Sequence, residues 1–326
     1  MKAAAWCITQ HIRRQLLPYE DREKTMNYGK KSKKLLQAIP FMLPCMIGMV
    51  IFGLLPVCMA MGLSFTDWSG LEKFGLTTIS DNWVGLKNYG AILSGKEFRA
   101  TLGHVLYFVV LYIPLAFISS LGIALILNTD RKGTGILRVL CYIPVLTSWV
   151  AASLIWKWVL SSQYGILNAA LSVVGIQGPD WLTNKFWAMP GIVLASVWKD
   201  MGFFGLYMFG GLRGIDPTYY EAARADGAGK WTILTKITLP LLSPTLFYCL
   251  IMALINSFQL FPQVQIMTEG GPSGATQVMV ERIYTYAFSY FKMGYASAYS
   301  WLLFAIIFVL TLVQLKVQKA WVHYES

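Results

Sequence analysis

Three long stretches of this chain carry no formal charge. No Asp, Glu, Lys or Arg occurs between Lys34 and Asp67, between Arg99 and Asp130, or between Lys236 and Glu269. Each stretch exceeds the roughly 20 residues an α-helix needs to cross the hydrocarbon of a bilayer. Buried helices of soluble domains rarely stay uncharged for so long. Composition points the same way: 56% of the 326 residues are hydrophobic and 13% are charged, whereas a soluble domain carries about a quarter charged residues. The chain therefore reads as an integral membrane protein. In hydrocarbon, backbone polar groups are satisfied only in helices or closed barrels, and these runs lack a barrel's alternation. The expected fold class is all-α and polytopic.

The apolar runs predict six transmembrane helices near Ile39–Phe65, Gly103–Leu127, Leu137–Leu160, Trp187–Leu212, Ser243–Met267 and Gly294–Leu315. They divide the chain into a basic tail, 1–38, a membrane domain, 39–318, and a short C-terminal tail, 319–326. Lys and Arg set the direction of insertion. Eighteen of them fall on the side formed by the two tails and the loops after spans two and four, and seven on the other. The richer side is expected to be cytoplasmic, with both termini inside. The cluster Lys30, Lys31, Lys33 and Lys34 belongs to that signal and suits contact with anionic lipid. The formal net charge of +11 follows this topological pattern and forms no aromatic-studded basic face, which argues against nucleic acid. Cys7, Cys45, Cys58, Cys141 and Cys249 have the spacing of neither a disulfide set nor a zinc site. His11, His104 and His323 lie far apart, so no metal site is expected. A mostly polar stretch precedes the first apolar run, unlike a secretory signal peptide; Met26 is an alternative start.

The loop between spans four and five is too ordered for a plain connector. Asp216-Pro217 suits a helix N-cap followed by proline at the first helical position. Thr218 to Asp226 supplies helix formers, and Gly227 suits a left-handed helix end. A second amphipathic stretch, Trp231 to Thr238, is closed by Leu239-Pro240. The expectation is a short cytoplasmic helix–turn–helix block tied to two spans.

Within it, Glu221-Ala222-Ala223, Gly227, Ile237, Leu239 and Pro240 resemble the E-A-A-x3-G-x9-I-x-L-P signature of ABC importer permeases, with every defined position matched. The resemblance implies that this helix couples to a separate ATPase subunit. It also implies a second permease subunit, two ATPases binding ATP and Mg, and an extracytoplasmic solute-binding protein, all at the inner membrane of a prokaryote. Thr268-Glu269-Gly270-Gly271-Pro272 with Thr276, then Tyr284, Ala287-Phe288 and Gly294-Tyr295-Ala296-Ser297-Ala298, are similar to carbohydrate-uptake permeases. So are Ser64-Phe65-Thr66-Asp67-Trp68 and Val84-Gly85-Leu86-Lys87-Asn88-Tyr89. An interfacial helix lying on lipid would explain the amphipathicity of the loop but not the whole motif.

No enzyme is expected. Gly227-Ala228-Gly229-Lys230 superficially suggests a phosphate loop, but Trp231 occupies the place of the Mg²⁺-binding Ser/Thr and Arg224 that of the first glycine. No nucleophile–base constellation is legible, and no cofactor is expected on this chain.

Polar residues inside spans are the candidates for a solute path, because they are costly in lipid. Asn256, Gln259 and Gln263, at i, i+3 and i+7, are expected on one face of a continuous fifth span. Their amides both donate and accept, which suits sugar hydroxyls; Phe258 and Phe261 lie beside them. The competing reading is interhelical bonding. In span four, Trp198 is the expected solute contact, whereas Lys199 and Asp200 are expected to serve structure or gating, each with its own partners. Lys157 is expected to snorkel to the interface, and Gly210, Gly211 and Gly214 to permit close packing. Three alternatives stay open: a permease of the same kind for a polyamine or oligopeptide, an ion-coupled secondary transporter, and a membrane scaffold. The second would need intramembrane carboxylates, of which Asp200 is nearly the only example.

Overall fold

The computed structural model describes residues 39–75, 77–129 and 132–322. The basic tail 1–38, with Cys7 and His11, lies outside the described residues, as do Arg131 and His323. Two compact units divide the chain, 1–60 and 61–326. Helix α1, Ile39–Leu63, supplies the described part of the first. No residue of its most hydrophobic stretch is buried, and Phe41 and Phe52 are largely exposed.

The second unit contains α2 (Lys87–Ser94), α3 (Lys96–Leu127), α4 (Thr134–Leu146), α5 (Trp149–Val159), α6 (Ile166–Val173) and α7 (Ala188–Gly214). It continues with α8 (Pro217–Ala225), α9 (Lys230–Leu241), α10 (Ser243–Phe258), α11 (Pro262–Met267), α12 (Met279–Tyr284) and α13 (Met293–Val317). Four helices, α1, α3, α7 and α13, are long and apolar enough to cross a membrane unaided. Counting each of two bent pairs as one span gives up to six: α4 with α5 turns by 100°, and α9 with α10 by 68°. The all-helical, multi-span class is as expected. Spans three and five are not single straight helices.

The core of this unit is α3 against α7. On α3, Val105, Phe108, Tyr112, Ala116, Ser120 and Ala124 recur every three or four residues and are buried, forming one helical face. Half of the most apolar stretch of α7 is buried, compared with 22% for α3 and α13, so α7 is the central element. Lipid tails are as apolar as side chains, and helices associate in them mainly through close packing of small residues. A β-carbon on Gly202 would collide with the Cys141 carbonyl of α4, and one on Gly205 would lie 3.1 Å from Ile123 of α3. Gly211 closes similarly on Thr245 of α10, whereas Gly210 and Gly214 have nothing within 4 Å. Close packing therefore explains Gly211 and not its two neighbours.

The segments Ser64–Trp68 and Val84–Tyr89 meet each other, and Tyr89 packs against the core. Asn88 donates to the carbonyls of Ser64 (3.1 Å) and Thr66 (2.7 Å), and Tyr89 donates to the Ser64 hydroxyl at 2.7 Å. Phe65 stacks on Trp83 at 5.4 Å. Gly294 at the start of α13 lies so close to the Thr66 carbonyl that any side chain would collide.

Candidate functional site: a surface helix and a polar cavity

Helix α8 is defined by its ends. The Asp216 carboxylate accepts from the Thr218 amide at 2.9 Å and from its hydroxyl at 2.8 Å. These bonds hold the Asp216 carboxyl below its ordinary range. At the other end Gly227 has φ +76°. Its amide donates to Arg224 O at 3.0 Å, and the Ala228 amide donates to Ala223 O at 2.9 Å, the paired bonds of a Schellman terminus. An added β-carbon at Gly227 would meet nothing within 4 Å, so the glycine serves backbone conformation and not space. Ala223 is buried and anchors the helix, while Glu221, Ala222 and Gly227 are exposed. Trp231, one turn into the following segment, is 75% exposed. Ile237, Leu239 and Pro240 are half-buried and stand in α9, just before its bend into α10. The motif thus splits into an outward face and a hinge.

Span five ends its first helix at Phe258. The Gln259 amide still bonds Ile255 O at 3.1 Å, but Phe261 leaves helical geometry at φ −145°, ψ −65°. Pro262 starts α11 in the N-terminal position where its missing N–H costs nothing. Asn256, Gln259 and Gln263 therefore do not share the face of one continuous helix. They nevertheless line one cavity of about 220 Å³, together with Phe108 and Tyr112 of α3, Trp149 of α5, Ser196 and Asp200 of α7, and Ser257, Leu260 and Pro262. Gln263 is only 6% exposed, and its Oε1 has no hydrogen-bond partner among the described residues. Phe258 is buried in the core and is not among the lining residues, and neither is Phe261. Trp198 packs edge-on against Trp156 at 5.8 Å and also stands apart from the cavity.

The adjacent charges of span four go separate ways. Lys199, 5% exposed, donates to the carbonyls of Thr147 (2.7 Å), Pro144 (3.0 Å) and Val145 (3.4 Å), and its ammonium sits 5.0 Å from the Trp149 ring centre. It therefore caps the C-terminal end of α4, where helix carbonyls lack partners and the dipole favours a cation. Asp200 turns to the cavity and accepts from the Tyr112 hydroxyl at 2.6 Å. The sequence signal for Asp200 was present, since an intramembrane carboxylate is rare. Nothing local pointed to Tyr112, 88 residues away. Lys157 of α5, instead of merely snorkelling, donates to the Ile266 carbonyl of α11 at 3.1 Å.

In the loop after α11, Thr268 and Thr276 share a 2.8 Å hydroxyl contact and Thr276 donates to Gly271 O at 2.7 Å, closing the Gly-Gly-Pro segment on itself. That segment walls an open cleft of about 620 Å³ with Trp158, Tyr164 and Trp181. Nearby, Arg282 pairs with Glu97 at 2.6 Å, Tyr286 donates to Glu97 at 2.5 Å, and Thr285 donates to Glu281 at 2.9 Å. Burial pushes the Glu281 carboxyl above its ordinary range, against the hydrogen bond from Thr285 and the charge of Arg282.

Comparison with known proteins places this arrangement. Residues 91–322 match the family described as binding-protein-dependent transport system inner membrane component. The chain is 36% identical over 306 residues to the probable ABC transporter permease protein YesP of Bacillus subtilis, covering 91% of this chain and 96% of that one. It is also 36% identical to the trehalose/maltose transport system permease protein MalF of Thermococcus litoralis, over 85% and 92% of the two chains. A chain from the crystal structure of a bacterial ABC transporter involved in import of the acidic polysaccharide alginate superposes with a TM-score of 0.77. That match covers 90% of this chain and 99% of the other at 21% identity, a likeness of fold. With a family match across most of its length and several helices long and apolar enough to cross a membrane, this chain belongs to the multi-pass inner-membrane permeases of binding-protein-dependent ABC transporters, a transport family and not an enzyme family.

Proposed function

We propose that the chain is one half of the channel of an ATP-driven sugar importer, in which the amide-lined cavity forms part of the solute path and α8 transmits ATP binding from a partner ATPase. The pathway residues are Asn256, Gln259 and Gln263, joined by Tyr112 and Asp200. The coupling residues are the exposed Glu221, Ala222 and Gly227, anchored by Ala223, with Ile237, Leu239 and Pro240 at the hinge behind them. A sugar is favoured because a relative at 36% identity bears the name of a trehalose/maltose permease and because the cavity presents amides suited to hydroxyls. The remaining partners are a second permease, two ATPases that carry ATP and Mg, and the solute-binding protein outside. The split of Lys and Arg supports cytoplasmic termini and a cytoplasmic α8.

One observation carries this reading: α8 is capped at both ends yet presents Glu221, Ala222 and Trp231 to solvent, a rigid surface that none of the described residues covers. Glu221→Lys and Gly227→Val should therefore abolish sugar-stimulated ATPase activity of the co-expressed complex and leave membrane insertion and abundance intact. Charge reversal changes the docking face, and a β-branched residue resists the positive φ at position 227. Wild-type coupling in both variants would overturn the assignment.

A further inference from the structure

The charges around the cavity do not balance. The Tyr112 hydroxyl hydrogen is committed to Asp200, that of Ser196 to Ile192 O at 2.9 Å, and that of Ser257 to Ala253 O at 2.7 Å. The Lys199 ammonium, although next in sequence to Asp200, is turned to the carbonyls of Pro144, Val145 and Thr147 behind Trp149. No Lys or Arg lines the cavity among the described residues. What faces inward is the second oxygen of Asp200 and the buried, unpartnered Oε1 of Gln263, beside the amides of Asn256, Gln259 and Gln263, which both donate and accept. The Asp200 carboxylate is the one formally charged group among the described lining residues.

We infer that Asp200, positioned by Tyr112, makes this cavity a charge filter that passes neutral polyhydroxyl and ammonium-bearing sugars and rejects those carrying carboxylate, sulfonate or phosphate. This rests on the cavity being solute path. An anionic group here would meet a carboxylate and an unpaired carbonyl oxygen in a space of about 220 Å³, with little water to screen the repulsion. Hydroxyl hydrogens satisfy the same two acceptors, and an ammonium group satisfies them with charge complementarity as well.

The test needs no knowledge of the natural solute. Gln259 is exposed in the cavity, so Gln259→Cys is made in the full transporter complex, in a background without the five native cysteines. The thiol is reacted at pH 8 with two methanethiosulfonates of similar size, one carrying trimethylammonium and one sulfonate. Their rate ratio, normalised to that for a free thiol in solution, should favour the cation by roughly tenfold, as expected for one nearby charge in a partly dry site. Asp200→Asn, which can still accept from Tyr112, should bring the ratio back to within about twofold of the free thiol, and Tyr112→Phe, which keeps the charge, should leave most of it in place. If Asp200→Asn fails to assemble, Asp200→Ser answers the same question. A ratio equal to that of the free thiol, or one unmoved by loss of Asp200, overturns the filter alone. Failure of both reagents to reach position 259 in every nucleotide state overturns the solute path and the filter with it.

Discussion

Spans three and five are both broken, and their breaks differ in what they leave unpaired. In span three the chain turns between α4 and α5 at Thr147 and Ser148, both extended at ψ 145° and 150°. Several groups exposed by that turn find partners within the protein. Lys199 bonds three carbonyls, the Thr147 hydroxyl donates to Pro144 O at 2.6 Å, and Ser148 accepts from the Ala151 amide at 3.2 Å. In span five the chain breaks between α10 and α11, and the side chains there are left with bonding capacity: Gln263 Oε1 is buried and unpaired, and Asn256 and Gln259 are exposed to the cavity. A break satisfied from within is architecture. A break left with unused polar groups suits a passing solute, since an unmade bond in a dry site costs about 1–3 kcal/mol until something makes it. The two breaks also meet, for α11 packs on α5 and Lys157 ties them through Ile266 O.

The contrast can be broken most directly at Lys199. Lys199→Met keeps the length of the side chain but removes the donor from a set of buried carbonyls, at a cost of about 3 kcal/mol. The expected result is a sharp loss of assembled complex by size-exclusion chromatography; normal yield and melting temperature would show that the break in span three holds itself. Gln263→Leu should do the reverse. Removing an unsatisfied buried oxygen is neutral or stabilising by up to about 1 kcal/mol, while uptake per assembled complex should fall roughly tenfold, the equivalent of one lost hydrogen bond in transit. If yield falls and uptake per complex does not, the amides of span five are interhelical glue and the solute path lies elsewhere. Ser148→Ala tests the smaller half of the span-three break: loss of an N-cap should cost about 1 kcal/mol, read as a lower melting temperature with unchanged uptake per complex.

The smallest effect is expected at Glu281 of α12, in the cluster it forms with Arg282 and Thr285. Its carboxyl is raised by burial, so the protonated form is favoured by the folded state. The associated stabilisation is present in full at acid pH and is lost as pH rises through the raised value, leaving a charged, half-paired group at neutral pH. Glu281→Gln should therefore raise the melting temperature by about one or two degrees at pH 7, and the gain should vanish on acidification. A gain independent of pH would mean that the carboxylate is fully compensated by Arg282.

Legibility followed the range of the interaction. The ends of α8 were readable because a cap, a proline and a positive-φ glycine act over four or five residues. Gly227 sits at φ +76°, the conformation that its place after Ala225-Asp226 implied. The amides of span five were readable as polar residues in an apolar run, but their geometry was not. The i, i+3, i+7 spacing assumed an unbroken helix, and the cavity gathers the three residues by breaking it. Thr147-Ser148 offered a weak N-cap signal inside span three, hidden by apolar residues on both sides. Trp198 drew attention as an aromatic beside charged residues, and its packing on Trp156 was not legible, because that partner lies on a separate helix.

By itself, then, the sequence determined the all-helical membrane class and the capped surface helix, because hydropathy and capping are properties of a residue and its near neighbours. Tertiary structure alone decided where two spans break, that Lys199 caps one of them from another helix, and that Asp200 and Tyr112 share a cavity with the amides. Those outcomes depend on which carbonyls and side chains come within about 3 Å across separate helices, and spacing along the chain carries no information about that.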